Sequence, residues 1–262
     1  MKIKEQVYTT VINLKRSPDR RKHMEDSLSE LNIPFHILEA TDGNSYQSDA
    51  RDSTRLSSGE IGCADSHRRA LTNFLESSHA FGLVMEDDID IDSRFSTNLL
   101  AALDQLNAND KVVVQFDYAP VGIKGVLLWW FLFRNLISTN SNSWYFWLRL
   151  PVYLVKGIAA NFISIWEGFR NEYYVAINRS ALVLVHRDRY LAGCYLVSKA
   201  AAIELINLNK PIMYPADAVH NVARRQGKIK HYLSVPRVIR QKREIFSSTL
   251  NNEHFGKKAT SY

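Results

Sequence analysis

Cysteine is scarce in this 262-residue sequence, in which Cys63 and Cys194 are the only two. Two cysteines cannot build a disulfide framework or a cysteine-rich zinc site, which excludes the small disulfide-stabilised classes of protein. Eleven glycines and seven prolines are too few for a collagen-like or low-complexity chain. The hydrophobic fraction of 46% and the charged fraction of 23% are ordinary for a folded chain with a sizeable core.

Long apolar segments are missing as well. The first residues, MKIKEQVYTTVINL, hold no apolar run of signal-peptide length, so we expect an unprocessed, cytoplasmic protein. The apolar runs at 125–133 and 144–155 fall short of the ~20 residues that cross a bilayer. The net charge of +6 favours anionic partners such as lipid headgroups or phosphorylated ligands, and does not by itself indicate nucleic acid.

Three glycine-containing motifs are absent from the sequence: Gly-x-Gly-x-x-Gly, Gly-Lys-Ser/Thr and Gly-x-Ser-x-Gly. Their absence gives no support to a dinucleotide-binding Rossmann site, a P-loop or the nucleophile elbow of an α/β-hydrolase.

Alternating strand and helix patterns fill both ends of the sequence. A β-branched run at 7–14 predicts a buried strand, and Pro18 fits the first position of a helix that Ser17 can cap. Ser57 and Glu60 have the spacing of a capping box, which predicts a second helix start. Further strands are expected at 35–38, 82–85, 111–116, 193–197 and 232–239, and further helices from Phe95, Ser198 and Pro215. This order predicts an α/β fold with a mostly parallel central sheet and flanking helices.

The segment 121–174 breaks that pattern and contains all five tryptophans. Its aromatic side chains and scattered basic residues, Arg134, Arg149 and Lys156, are typical of helices that lie in a membrane surface. A helical subdomain whose aromatic side chains form its own core would have a similar sequence. Both interpretations stay open at this point.

Glu86, Asp87 and Asp88 form the strongest local signal, because three adjacent carboxylates follow directly on a predicted strand. A divalent cation such as Mg²⁺ or Mn²⁺ would relieve their mutual repulsion and leave coordination positions for phosphate oxygens. The carboxyl ends of strands are also where open α/β sheets bind ligands. A solvated acidic turn is the alternative, since Asp90 and Asp92 continue the run.

Other candidate residues carry weaker signals. Asp217 and His220 lie three residues apart at a predicted helix start and could supply a general base, a metal ligand or both. Arg16 and Arg20 flank the turn after the first strand, where a helix N-terminus favours phosphate. His67 lies in the middle of a predicted helix, where a hydrogen-bonded, partly buried histidine is the simpler interpretation.

Taken in order, these segments resemble glycosyltransferase family 25, the bacterial lipopolysaccharide and lipooligosaccharide glycosyltransferases. The most specific string runs from Ser57 to His67, as Ser-x-Gly-Glu-x-Gly-Cys-x-x-Ser-His, and is followed by Glu86-Asp87-Asp88. The matching segments are 11–21, 40–43, 56–67, 84–88, 192–199, 215–217, Pro236 and 247–249. The chain departs from the family at Cys194, where glycine is common, and in its long aromatic insert.

The resemblance implies a GT-A-like nucleotide-sugar fold, a UDP-sugar donor and a divalent cation, Mn or Mg. It places the cation on Asp88 and Glu86, with Glu86 or Asp87 on the ribose or the metal. A single-displacement inverting transfer needs one base to take a proton from the acceptor hydroxyl, and Asp217 is the candidate, with His220 as its neighbour or as a third metal ligand. The donor-binding residues that the resemblance implies are Asn13, Arg16, Arg20, Thr41, Asp42, Glu60, His67, Glu86 and Asp87.

The expected organisation is a donor half at 1–120, an aromatic helical insert at 121–175, and an acceptor half with a basic end at 176–262. The expected activity is inverting transfer of a hexose, galactose first, from a UDP-sugar to a lipid-linked saccharide of the cell envelope. We expect the protein at the inner face of the cytoplasmic membrane, on an anionic surface. The alternatives are a non-catalytic membrane-surface binding protein and another metal-dependent, nucleotide-using enzyme.

Overall fold

The computed structural model describes residues 3–46, 55–118, 144–177 and 179–241, together with 130, 133–134 and 137–138. The helices are α1 Ile3–Gln6, α2 Pro18–Glu30, α3 Ser58–Glu76, α4 Phe95–Gln105, α5 Trp144–Ala176, α6 Lys199–Leu208 and α7 Ala216–Arg225. The strands are β1 Val7–Asn13, β2 His36–Glu39, β3 Phe81–Glu86, β4 Ile89–Ile91, β5 Val112–Gln115, β6 Ala181–Leu184, β7 Cys194–Ser198, β8 Lys230–Val235 and β9 Ile239–Gln241.

Seven of the strands form one mixed sheet in the order β2-β1-β3-β7-β5-β8-β6. β1 pairs in parallel with β2 and β3, and β5 pairs in parallel with β8. β7 runs antiparallel to β3 and β5, and β6 runs antiparallel to β8. The predicted α/β class with a parallel majority is therefore confirmed, and the carboxyl ends of β1, β2, β3, β5 and β8 share one edge of the sheet.

Hydrophobic side chains cover both faces of this sheet. Val11 and Ile12 are neighbours on β1 but belong to different core clusters, because successive strand residues point to opposite faces. The first cluster includes α2 and α4 side chains such as Met24 and Leu99. The second includes α3, α6 and α7 side chains such as Phe74. Helices on both faces bury the sheet and leave its carboxyl edge for the site.

The structure divides into two units, residues 1–118 with 181–262 and residues 119–180. Within the second, α5 is one 33-residue helix that continues through Pro151, where the sequence suggested an interrupted apolar run. No helix among the described residues is long and apolar enough to cross a membrane. The apolar run expected at 125–133 lies largely outside the described residues. The last part of the expected basic end, from residue 242 onwards, which includes the segment 247–249, lies outside them as well.

Several local predictions are confirmed and a few are wrong. The capping box of Ser57 and Glu60 is present at the start of α3. Ser17 precedes α2 but makes no capping hydrogen bond through its side chain, and Pro18 stands at the helix start as expected. The single extended segment expected at 232–239 is the end of β8 followed by the start of β9. β9 pairs with β4 in a separate two-stranded sheet.

Candidate functional site

The end of β3 meets one face of α3 at the carboxyl edge of the sheet. Glu86 ends β3, and its Oε1 lies 3.1 Å from Nε2 of His67 and 4.0 Å from Sγ of Cys63. Cys63 and His67 are four residues apart on α3 and therefore share a face of that helix. The donor atoms of these three side chains all lie within 4.8 Å of one another. A thiol, an imidazole and a carboxylate thus form one cluster.

A close backbone approach fixes where α3 stands. A Cβ atom at Gly62 would lie 2.7 Å from the carbonyl oxygen of Thr41, so only glycine fits there. Thr41 also donates from its hydroxyl to Asp65 at 2.6 Å, and its backbone N–H donates to Ser66 Oγ at 2.8 Å. The turn after β2 is thereby held against the helix that carries Cys63 and His67.

Tyr195 and His220 form the buried side of this cluster. The Tyr195 hydroxyl lies 3.1 Å from Nδ1 of His67, and the two rings stack with centroids 5.7 Å apart. The ring of His220 meets Tyr195 edge-on at 4.5 Å and His231 at 5.8 Å. Burial raises the pKa of Tyr195 and lowers the pKa of His220, which keeps both groups neutral. His220 is 2% exposed and therefore packs behind Tyr195.

Asp217 lies in the first turn of α7 and is half-buried. Burial raises its pKa, and the charge of Glu86 raises it further. The backbone N–H of Leu191 donates to this carboxylate and partly offsets that rise. Leu191 has a φ of 82°, in the left-handed region, and its carbonyl accepts from Nε2 of Gln115 at 2.5 Å. Gln115 on β5 thus holds the loop that positions Asp217.

Asp117 is a site residue that the sequence analysis missed. It follows β5 and is fully buried. Burial is the main cause that raises its pKa to about 7, and the negative charges of Glu86 and Asp88 raise it too, against the effect of Arg237. A Cβ atom at Gly193 would lie 2.4 Å from its Oδ2, so glycine is needed beside it. Nothing in the local sequence Gln-Phe-Asp-Tyr distinguishes this carboxylate from a surface residue.

Carboxylates concentrate negative charge in this region. The pKa of the Cys63 thiol is raised by burial first and then by the charges of four carboxylates. These are Glu86, Asp217, Asp88 and Glu60. Their oxygens are the ligand type that Mg²⁺ and Mn²⁺ prefer, so the residue types in this region suit a divalent cation of that kind. Asp88 and Glu86 are the residues that would hold it, and such an ion would neutralise charge on a bound diphosphate.

Asp87 has a different environment from its two neighbours in the triplet. It accepts a hydrogen bond from Asn13 Nδ2 at 2.7 Å and pairs with Arg20 at 3.1 Å, and both charged side chains are about 10% exposed. Burial raises the pKa of Asp87 despite these two partners. The contacts of Asn13, Arg20 and Asp87 therefore tie β1, α2 and the end of β3 together inside the protein.

The remaining predicted donor residues lie further out. Arg16 forms an ion pair with Asp42, and both side chains are substantially exposed. The Oε2 atom of Glu60 accepts from the backbone N–H and the hydroxyl of Ser57, so that oxygen serves the helix cap. Among the predicted site residues, Glu86 contacts His67 and Asn13 donates a hydrogen bond to Asp87. His67 also contacts Tyr195, which was not predicted as a site residue.

The acidic cluster lies at the carboxyl edge of a sheet that has helices on both faces. This edge is where open α/β sheets bind their ligands. The sequence matches the family described as "Glycosyltransferase family 25 (LPS biosynthesis protein)" over residues 6–220. That span covers most of the chain and contains the site. The chain therefore belongs to glycosyltransferase family 25, as its motifs indicated.

Curated relatives match a shorter part of the chain. A human protein named procollagen galactosyltransferase 2 is 31% identical over 129 residues, which are 44% of this chain and 20% of that protein. A "Glycosyltransferase 25 family member" from Drosophila pseudoobscura pseudoobscura is 29% identical over the same length and shares. A human "Inactive glycosyltransferase 25 family member 3" is 33% identical over 132 residues, 44% of this chain and 22% of that protein. The chain thus spans about a fifth of the length of these relatives.

Proposed function

We propose that this protein is an inverting glycosyltransferase that moves a hexose from a UDP-sugar to a lipid-linked saccharide of the cell envelope. Galactose is the first candidate for the sugar, because a human relative is named a galactosyltransferase. The description of the family as an LPS biosynthesis protein supports the envelope acceptor. A GT-A-like arrangement, with the donor at the carboxyl edge of the sheet, is part of the same proposal.

The observation that carries this proposal is the set of carboxylates around Glu86. Transfer from a UDP-sugar releases a diphosphate, whose negative charge must be stabilised as the sugar–phosphate bond breaks. We assign Glu86 and Asp88 to hold a cation for that purpose. Asp217 is close enough to Glu86 for the charge of Glu86 to raise the pKa of Asp217. In this proposal the same site supplies both the acidic residues for a cation and a separate candidate base.

Asp217 is the residue we assign to proton removal. In a single displacement, its carboxylate takes the proton from the acceptor hydroxyl while that oxygen attacks the anomeric carbon. The bond from that carbon to the diphosphate breaks, and UDP leaves with the bonding electrons. A pKa raised by burial makes Asp217 a better base than an exposed aspartate. Neutral, buried His220 then packs behind Tyr195 as a positioning residue and does not accept this proton.

Release of UDP tests the proposal directly. Purified protein, Mn²⁺ and envelope glycolipid would be incubated with a panel of UDP-sugars, and UDP would be measured with and without the lipid. We expect lipid-dependent UDP release, highest with UDP-galactose. Release from another sugar would correct the donor alone. No release from any donor, together with pyrophosphate release from nucleoside triphosphates, would favour the alternative of another metal-dependent, nucleotide-using enzyme.

Asp88→Asn is the matched inactive variant for that assay. It keeps the shape of the side chain and removes the charge that would hold a cation, so we expect at least a ~100-fold lower rate. Asp90→Asn is the control, since Asp90 is exposed on β4 and undergoes the same chemical change two residues away. Equal activity of Asp88→Asn and Asp90→Asn would contradict a metal role for Asp88.

A membrane surface is the place where we propose that the protein works. Three tryptophans are exposed: Trp130 by 51%, Trp147 by 49% and Trp166 by 66%. α5 exposes Trp147, Val152 and a run of apolar side chains along its second half. From Val155 onwards these side chains lie at helical spacing and form one stripe, which consists of Val155, Ile158, Phe162, Ile165, Trp166, Phe169 and Tyr173. Aromatic side chains of this kind prefer the headgroup boundary of a bilayer. An enzyme held there meets a lipid-linked acceptor at a raised effective concentration. We place that surface at the inner face of the cytoplasmic membrane.

Sedimentation with vesicles of phosphatidylglycerol and phosphatidylethanolamine tests this placement. Trp166→Glu with Phe169→Glu puts two charges on the stripe, and we expect the protein to stay in the supernatant while remaining folded. Gln105→Glu with Asn109→Glu makes the same change of charge at exposed positions outside α5 and should still sediment. Equal sedimentation of the two variants would rule out the stripe as the contact. A vesicle-binding protein without transferase activity would favour the alternative of a non-catalytic surface protein.

A further inference from the structure

Cys63 and His67 give the cluster around Glu86 a chemistry that the proposed transfer reaction does not use. Mn²⁺ and Mg²⁺ prefer oxygen ligands, whereas a thiolate and an imidazole are the preferred ligands of Zn²⁺ and similar cations. Here one sulfur, one ring nitrogen and one carboxylate oxygen converge from two elements, α3 and the end of β3. We propose that Cys63, His67 and Glu86 form a binding site for Zn²⁺, which shares Glu86 with the proposed Mn²⁺ or Mg²⁺ site but adds a sulfur and a nitrogen ligand.

The distances suit that ion. Bonds of about 2.0 to 2.3 Å in a tetrahedral zinc site put neighbouring ligand atoms roughly 3.3 to 3.8 Å apart. Nε2 of His67 is 3.1 Å and Sγ of Cys63 is 4.0 Å from the same Glu86 oxygen, and all three atoms lie within 4.8 Å. Shifts of about 1 Å or less would therefore close the site. Three protein ligands leave a fourth position for water.

The surroundings of the cluster support the same ion. Tyr195 contacts Nδ1 of His67 at 3.1 Å, and its neutral hydroxyl can accept a hydrogen bond from Nδ1–H once Nε2 binds a metal. Metal-binding histidines commonly have such an orienting partner. The side chain of Glu86 is 23% exposed and Cys63 is half-buried, which gives an ion a route from solvent. The thiol proton is released to water when the sulfur binds the cation.

Zinc at this cluster has a consequence for transfer that rests on the proposed function. The ion would take the Glu86 oxygen that now accepts from His67, and Glu86 is also a proposed ligand of the Mn²⁺ site. We therefore expect Zn²⁺, added at fixed Mn²⁺, to inhibit UDP release by the unsubstituted protein. In Cys63→Ser, the rate of UDP release with Zn²⁺ divided by the rate without Zn²⁺ should be nearer to one than in the unsubstituted protein.

Zinc affinity, measured without donor or acceptor, decides the site whether or not the protein is a transferase. A chelator competition assay should give one tight Zn²⁺ per chain, and Cys63→Ser should weaken it by more than ~100-fold, beyond the loss caused by outer-shell changes alone. Cys194→Ala is the control, since Cys194 is the other cysteine and lies outside the cluster. Its zinc affinity should be unchanged.

A spectroscopic probe keeps the test decisive if one variant folds poorly. Co²⁺ in place of Zn²⁺ should give a thiolate-to-metal absorption band, which Cys63→Ser abolishes and Cys194→Ala retains. His67→Gln should weaken Zn²⁺ binding while leaving Cys63 in place. Equal Zn²⁺ affinity in the unsubstituted protein, Cys63→Ser and His67→Gln, or a Co²⁺ complex without the thiolate band, would overturn the proposal.

Discussion

Removing Arg20 should destabilise the protein by an amount that depends on pH. Arg20 and Asp87 are 3.1 Å apart with both side chains about 10% exposed, so Arg20→Met leaves a buried carboxylate without its charged partner. Breaking a buried pair from one side costs about 3 to 5 kcal/mol. Asn13 still donates to Asp87 at 2.7 Å, so we expect the lower end, about 3 kcal/mol at pH 8.

The pH dependence has a definite sign. Burial already raises the pKa of Asp87 above its ordinary value, and loss of the Arg20 charge raises it further. Between the unfolded pKa of about 4 and the raised folded pKa, the folded variant holds a proton that the unfolded chain has lost. Stability of the variant therefore falls as pH rises through that window. The deficit relative to the unsubstituted protein should be smaller at pH 5 than at pH 8.

Urea unfolding followed by far-UV circular dichroism at both pH values measures this effect. Lys22→Met is the control, because Lys22 and Asp26 form an i,i+4 pair at 3.4 Å with side chains 76% and 68% exposed. Exposed pairs of this kind contribute only about 0.3 to 0.5 kcal/mol. In Arg20→Met with Asp87→Leu, where no buried charge remains, much of the stability should return. A loss of under ~0.5 kcal/mol in Arg20→Met at both pH values would refute this reasoning.

Three further predictions concern Asp217 and two buried titratable groups. Asp217→Asn should lower kcat strongly and leave UDP-sugar affinity nearly unchanged, relative to the exposed Asp104→Asn control, whereas a collapse of donor binding would place Asp217 in the donor site. His231 has a pKa lowered to about 3, mainly by burial, so its stabilising effect is lost as pH falls from 6.5 towards 3. When the pH falls from 6.5 to 4.5, the free energy of unfolding of His231→Gln, measured with urea, should therefore drop by about 2 to 3 kcal/mol less than that of the unsubstituted protein. Equal drops would contradict this. Asp117, with its pKa raised to about 7, has the opposite sign: stability falls as pH rises from about 4 to 7. Between pH 5 and pH 8, the free energy of unfolding of Asp117→Asn should thus rise by on the order of 2 kcal/mol relative to that of the unsubstituted protein. The same difference between the two proteins at both pH values would count against a neutral Asp117.

Local signals explain what the sequence could predict. The capping box of Ser57 and Glu60 acts over one helical turn, so its pattern is visible in four consecutive residues. Val11 and its neighbours form a β-branched run that favours a buried strand wherever it pairs. The three carboxylates at the end of β3 indicated an acidic ligand site because strand ends meet at one edge of the sheet.

Long-range contacts explain what the sequence could not predict. Asp117 joins the site only because β5 and β7 are neighbours and Gly193 leaves room for its carboxylate. The contact of Tyr195 with His67 links residues 128 positions apart. β6 is the antiparallel edge strand of the sheet, and no strand was predicted at its four residues, Ala181–Leu184. Pro151 lies inside α5, although proline usually ends or bends a helix.

UDP binding, measured by calorimetry with and without Mn²⁺, tests the proposed donor and cation site most directly. We expect Mn²⁺ to tighten UDP binding by at least ~10-fold, about 1.4 kcal/mol, in the unsubstituted protein and in Asp90→Asn. In Asp88→Asn the effect of Mn²⁺ should largely disappear. UDP affinity that is the same with and without Mn²⁺, and the same in Asp88→Asn, would contradict a cation-assisted nucleotide-sugar site at the end of β3.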